Sequence, residues 1–321
     1  MKIYVHIGYN KTGTSAIQGF LSRNQEFLDS KGFVYPVSGR GDKPAHHDVA
    51  MWIKSKNSKE LKKFSYNLKD EANNRDVIIS SELLHTVSAK TFRNLFPGDA
   101  VIPIAYVRNH IDYINSWYRQ GVKSRDMCSS FSDFAFTAKA EMYPRLMAWR
   151  SAFDEMIVRN YSRDSLLNGS SLDQFLFDTM GVSPESTQNL FKQEENASIG
   201  GNLLFIKRLL NNFVDYETAS SEKLQYELLE IAQTDKNFQK SVSVPSVVLE
   251  NLRGLYLNDV ENVKTAFKVD ISEEKSSANS YPCPNLETFK EDKKKILEMS
   301  LDKGFILGTL IQRHLGDVQG D

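Results

Sequence analysis

Residues 1–20 read MKIYVHIGYNKTGTSAIQGF, and this stretch decides the fold. Ile3, Val5 and Ile7 alternate, so Lys2–Ile7 is predicted as a short strand. The run from Gly8 to Gly13 follows as a turn, and Thr14-Ser15-Ala16-Ile17-Gln18 opens a helix. Strand, glycine-bearing turn and hydroxyl-rich helix start together gather backbone N–H groups around an anion, phosphate above all.

The spacing Gly-x4-Gly-Thr-Ser comes close to the Walker pattern, but that pattern needs lysine where Thr14 stands. Here the lysine is Lys11, carried by the loop itself. Gly8-x-x-Lys11-Thr12-Gly13-Thr14-Ser15 resembles the 5′-phosphosulfate loop of sulfotransferases that use 3′-phosphoadenylyl sulfate, PAPS. A second stretch strengthens the resemblance. After the apolar run 100–107, Arg108 closes a predicted strand and Ser116 lies two turns into the next helix. Arginine brings a bidentate fork and serine a neutral donor, so the two can converge on one phosphate. Arg-x7-Ser, followed by Trp117-Tyr118, resembles the 3′-phosphate site of carbohydrate sulfotransferases. Asn196-Ala197-Ser198 resembles the late Asn-x-Ser stretch that folds back over the nucleotide in bacterial members of that family; its plain alternative is a helix start capped by Ser198 or Asn202.

The resemblance spans residues 1–202 and implies a set of roles. Amides of Asn10, Lys11, Thr12, Gly13, Thr14 and Ser15 hold the 5′-phosphosulfate. Lys11 stabilises charge on the bridging oxygen as the sulfuryl group leaves, and the hydroxyls of Thr14 and Ser15 bond the 5′-phosphate. Arg108 and Ser116 select PAPS by its 3′-phosphate, and Asn196 and Ser198 cover the nucleotide. Adenosine 3′,5′-bisphosphate is the product, and no metal is implied. The acceptor is a hydroxyl compound. A saccharide is the first expectation, although a small alcohol, a lipid or a peptide tyrosine fits the sequence equally.

Attack by that hydroxyl requires a base. His46, His47, Glu82 and His85 are the candidates. Related sulfotransferases carry a glutamate or histidine after the second or third strand, so the resemblance does not settle the base; His47, after the second strand, is taken first and Glu82, after the third, second. Two competing readings stay open: a kinase-like phosphotransferase, against which stands the missing Walker lysine, and a nucleotide-binding module without catalysis.

Across 321 residues, 25% are charged, 40% are hydrophobic and the net charge is −1, so no global field draws the chain to nucleic acid. Two cysteines, Cys128 and Cys283, are too few for a disulfide framework. With no apolar run long enough for a transmembrane segment and no signal region, the expected location is cytoplasmic. Further strands are predicted at 33–36, 76–80, 100–107 and 156–161, with helices at 14–30, 48–73, 110–123, 131–138, 143–153 and 171–180. Alternation of strand and helix predicts an α/β fold: a P-loop-type, doubly wound parallel sheet flanked by helices. Residues 1–182 form this PAPS-binding core. Residues 183–321, with helical periodicity at 203–213, 221–233, 247–267 and 286–315, form an all-helical extension expected to cover the site.

Overall fold

The computed structural model describes residues 1–183, 198–275 and 279–316. The strands are β1 (Lys2–His6), β2 (Phe33–Val34), β3 (Asp76–Ser80), β4 (Ala100–Val107), β5 (Ile157–Asn160), β6 (Ser241–Val242) and β7 (Ser280–Tyr281). The first helices are α1 (Thr14–Arg23), α2 (Gln25–Ser30), α3 (His47–Lys54), α4 (Ser58–Ala72) and α5 (Ala89–Arg93). They are followed by α6 (His110–Ser124), α7 (Phe131–Thr137), α8 (Tyr143–Arg150), α9 (Ser171–Met180) and α10 (Gly201–Leu210). The last are α11 (Tyr216–Ser220), α12 (Glu222–Ala232), α13 (Ser246–Phe267), α14 (Phe289–Asp302) and α15 (Ile306–Leu315).

The described residues fall into two compact units that interleave along the chain. The first comprises Met1–Arg108, Glu141–Glu194 and Asn258–Ser272; the second comprises Asn109–Ala140, Glu195–Leu257 and Glu273–Asp321. This differs from a single division after residue 182, because α6 and α7 belong with the later helices. Periodicity identifies helices but does not say which neighbours they pack against.

The first unit is an α/β layer structure. Its five parallel strands run in the order β2-β3-β1-β4-β5. Ile3, Val5 and Ile79 on β1 and β3 are fully buried, as strands covered on both faces must be. One face of the sheet carries Tyr4, Ile78, Ile104 and Tyr106 against Ile17, Phe20 and Leu21 of α1 and Phe175 and Leu176 of α9. A second aromatic group, Phe64, Phe92, Phe96 and Trp149, joins α4, α5 and α8. Pro103 sits inside β4 without breaking it. The Ile104 carbonyl accepts the Ile7 N–H, so the backbone of Ile104 faces β1 and that of Pro103 faces the β5 side. There β5 pairing begins only at Ile104–Ile157, and the proline's missing donor falls below that edge.

Several predicted helices divide. The 14–30 helix breaks at Asn24, whose side-chain amide returns to the Phe20 carbonyl at 2.8 Å. The 48–73 helix breaks at Ser55–Asn57, where Lys56 takes a left-handed φ of 54° and Asn57 caps α4 by accepting the Glu60 N–H. The 286–315 segment breaks at Gly304, also left-handed. In the second unit the two-residue strands β6 and β7 pair in parallel, so this part is not wholly helical. Each strand is too short to leave an alternating signature in sequence. No helix among the described residues is long and apolar enough to cross a membrane.

Candidate functional site

The order β3-β1-β4 makes neighbours of the three strands that end in polar motifs. The Gly8–Gly13 loop follows β1, Ser81-Glu82 follow β3, and Arg108 follows β4. All three groups lie at carboxyl ends of adjacent parallel strands, where open α/β sheets hold their ligands.

The loop is shaped by its two glycines. A Cβ on Gly8 would stand 2.7 Å from the Thr14 methyl and 2.9 Å from His6 Nε2. Gly13 has φ +78°, and a Cβ there would stand 2.1 Å from Ser171 Oγ. Lys11 also adopts a left-handed φ of 66°, a strained state for a non-glycine residue. Thr12 is buried and donates its hydroxyl to the Tyr9 carbonyl at 2.6 Å. Its side chain therefore closes the loop, leaving its amide as the group it can offer a ligand. Tyr9 is itself buried and donates its hydroxyl to the Met142 carbonyl at 3.0 Å. Gly13 is the N-cap of α1, with no side-chain cap among the described residues, so that helix start presents backbone donors. Thr14 is buried with its methyl near Gly8, while Ser15 is exposed.

Arg108 reaches this loop. Its Nη1 donates to the Lys11 carbonyl at 3.1 Å, and its guanidinium lies over the Tyr161 ring at 5.5 Å. Ser116 lies on α6, in the second unit. In that unit Asn115 of α6 bonds both backbone groups of Val242, and Arg119 donates Nε to the Ile199 carbonyl at 2.8 Å. Arg119 thus fixes the segment that begins at Ser198. Asn196 lies outside the described residues. The N-cap of α10 is Gly200, with no side-chain cap bond, so neither Ser198 nor Asn202 caps it. Asn202 instead accepts the Asn285 N–H and donates to Asp292.

The base candidates separate clearly. His46 is fully buried, with Nε2 at 3.0 Å from the Pro36 carbonyl and Nδ1 accepting the Ser80 N–H. Both ring nitrogens are engaged, and burial together with the Arg40 charge pushes its pKa down to about 3. His85 is also buried and held near neutrality, its pKa lowered to about 4 chiefly by burial. His47 is partly exposed. Its Nδ1 lies 2.7 Å from Ser81 Oγ and its Nε2 lies 3.7 Å from Glu82 Oε1. Glu82 Oε2 in turn accepts Gln18 Nε2 at 2.8 Å, and Gln18 belongs to α1, the helix that the loop opens. His47 and Glu82 are therefore one assembly, tied to the loop helix.

Sequence reasoning missed Gln18 and Arg40. Gln18 is 4% exposed, a polar residue inside the apolar stripe of α1, and that mismatch was its only signal. Arg40 orders the 37–46 loop through the carbonyls of Pro36, Gly41 and Lys43. Tyr118 and Trp149 are buried, and Arg119 is taken up by backbone carbonyls.

Comparison with protein-family models, with curated proteins and with solved structures finds no match for this chain.

Proposed function

We propose that the protein is a PAPS-dependent sulfotransferase acting on a hydroxyl acceptor, with a saccharide as the favoured class. The observation that carries this reading is the hydrogen bond from Arg108 to the Lys11 carbonyl, which joins the strand-end arginine to the glycine-bounded loop. The loop amides and the start of α1 bind the 5′-phosphosulfate, and Arg108 supplies the charge for a second phosphate. Ser116 and Ser198 enter on the resemblance, as does Asn196. The fold reading extends accordingly to the P-loop type of sheet, and the later helices are assigned to covering the nucleotide.

In the transfer, the acceptor oxygen forms a bond to sulfur while the bond from sulfur to the bridging phosphate oxygen breaks. The bond's electrons leave on adenosine 3′,5′-bisphosphate, where Lys11 stabilises them. The acceptor proton passes to His47. In the tautomer that donates from Nδ1 to Ser81, Nε2 carries the lone pair, and Glu82 at 3.7 Å stabilises the resulting imidazolium. Positive charge comes from lysine, arginine and backbone donors, so the scheme calls on no metal.

The test is a binding comparison that needs no acceptor. Adenosine 3′,5′-bisphosphate should raise the melting temperature far more than AMP, and Arg108→Ala should erase the difference. A larger shift with ATP and Mg²⁺ would select a kinase-like reading. No shift with any nucleotide would sink both.

A further inference from the structure

The backbones of the base assembly are held by the strand ends. The His46 N–H donates to the Ser80 carbonyl at 2.8 Å and the Ser80 N–H to His46 Nδ1 at 3.3 Å, which places His47 at the start of α3. The Ser81 N–H donates to the His6 carbonyl at 3.1 Å, and Ser81 Oγ accepts the Leu83 N–H at 3.2 Å, so the 3₁₀ turn Glu82–Thr86 starts at a fixed point. The Glu82 carboxylate is held differently. It ends a flexible side chain that is 21% exposed, and its 3.7 Å approach to His47 is too long for a hydrogen bond. A charge contact of that kind at a partly exposed site does little to fix a side chain. Among the described residues, the hydrogen bond on this carboxylate comes from Gln18 Nε2, at 2.8 Å to Oε2.

Gln18 is 4% exposed and lies on α1 beside Ile17, Phe20 and Leu21, which pack on the sheet. Burying an amide there carries a desolvation cost that an apolar side chain of the same length would not. The bond to Glu82 offsets that cost, but stability alone would be served as well by methionine. What the amide adds is direction. Gln18 follows Thr14 by four residues, so the two share one face of α1, and the Thr14 methyl closes on Gly8 in the loop. One turn of helix therefore separates the loop from the group that holds Glu82. Oε2 is turned to α1, and Oε1 is left facing His47.

We infer that Gln18 is a positioning residue: through its hydrogen bond to Oε2 it aims Oε1 of Glu82 at His47 and sets the base assembly at a fixed place relative to the anion loop. Which proton His47 takes rests on the sulfotransferase reading; the placement of Glu82 does not.

The test reads each imidazole in the full chain and needs no acceptor: carbethoxylation by diethyl pyrocarbonate, followed residue by residue with peptide mass spectrometry. Of the six histidines, His47 and His314 have surface to meet the reagent, while His6, His46, His85 and His110 are buried. Gln18→Met should keep the wild-type melting temperature and change the His47 rate, relative to His314, by about threefold or more, in the same direction as Glu82→Gln. Gln18→Asn, which keeps the amide but withdraws it by one methylene, should give the same change. In a Glu82→Gln background Gln18→Met should add nothing, because residues that act through one contact are not additive. An unchanged His47 rate in both Gln18 variants, an effect that persists in the Glu82→Gln background, or a rise shared by the buried histidines, which marks general loosening, would overturn the inference. Calorimetry with adenosine 3′,5′-bisphosphate on the same samples separates the two claims. A cycle that holds without bisphosphate binding removes the donor reading alone, and bisphosphate binding with a failed cycle removes the role of Gln18 alone.

Discussion

Arg108 and Lys11, 97 residues apart in sequence, meet through a 3.1 Å hydrogen bond from the guanidinium to the lysine carbonyl. The contact draws an arginine at the end of β4 onto the loop at the end of β1, and it accompanies a left-handed backbone at Lys11. Removing it should act on ligand binding and on the loop together. Arg108→Ala is expected to weaken adenosine 3′,5′-bisphosphate binding by roughly 10- to 100-fold, the scale of losing hydrogen bonds to a charged group. Arg108→Lys should recover only part, since an ammonium keeps the charge but not the fork. Calorimetry with both variants checks this, and unchanged affinity in Arg108→Ala would take the residue out of the site.

The loop glycines make a prediction about folding as well as binding. At Gly13, alanine adds both a left-handed strain and a close approach to Ser171 Oγ. At Gly8 it strikes Thr14 and His6. Each substitution should lower stability by about 1–3 kcal/mol and abolish nucleotide-induced stabilisation. By contrast, Gly32→Ala, where a Cβ meets nothing within 4 Å but φ is +77°, should destabilise without touching nucleotide binding. Thermal melts with and without the bisphosphate distinguish the two behaviours.

For the His47–Ser81–Glu82 assembly, turnover is the informative measurement. His47→Ala should lower kcat by roughly 10²- to 10⁴-fold with little change in bisphosphate affinity. Ser81→Ala and Glu82→Gln should produce smaller losses, because they orient and stabilise the imidazole without taking the proton. Full activity in His47→Ala would transfer the role of base to Glu82.

Acid sensitivity follows from the buried histidines. His6 and His46 are held down to about 3 and His85 to about 4, in each case mainly by burial. An unfolded histidine takes up a proton near pH 6.5, whereas these folded ones stay neutral, so the unfolded state binds more protons below that pH. The stability they provide is complete above about pH 6.5 and is lost progressively as pH falls toward their folded values. At pH 5 each should have given up about 2 kcal/mol. Denaturant titrations at pH 7.5 and pH 5 measure the loss, and His46→Asn should make stability less dependent on pH over that interval.

The legible part of this protein was local. Alternation in β1 and the apolar runs of β3 and β4 showed strands because side-chain period follows directly from backbone geometry. Gly8, Lys11 and Gly13 marked the loop for the same kind of reason, since its shape depends on residues adjacent in sequence. Helix breaks were less visible: Asn24 and Lys56 interrupt helices without glycine or proline, through side-chain bonding and a left-handed turn.

What only the tertiary structure decided was convergence. Nothing in the spacing of Gly8, Glu82 and Arg108 dictates that β1 lies between β3 and β4; that order depends on pairing between segments far apart in sequence. The fate of the histidines was also tertiary. His46 and His47 are neighbours in sequence, yet one is fully buried with both nitrogens bonded and the other stands partly exposed beside Glu82. Side-chain type sets which protons a residue can hold. Burial and partners, which only the folded chain supplies, set whether it can exchange them.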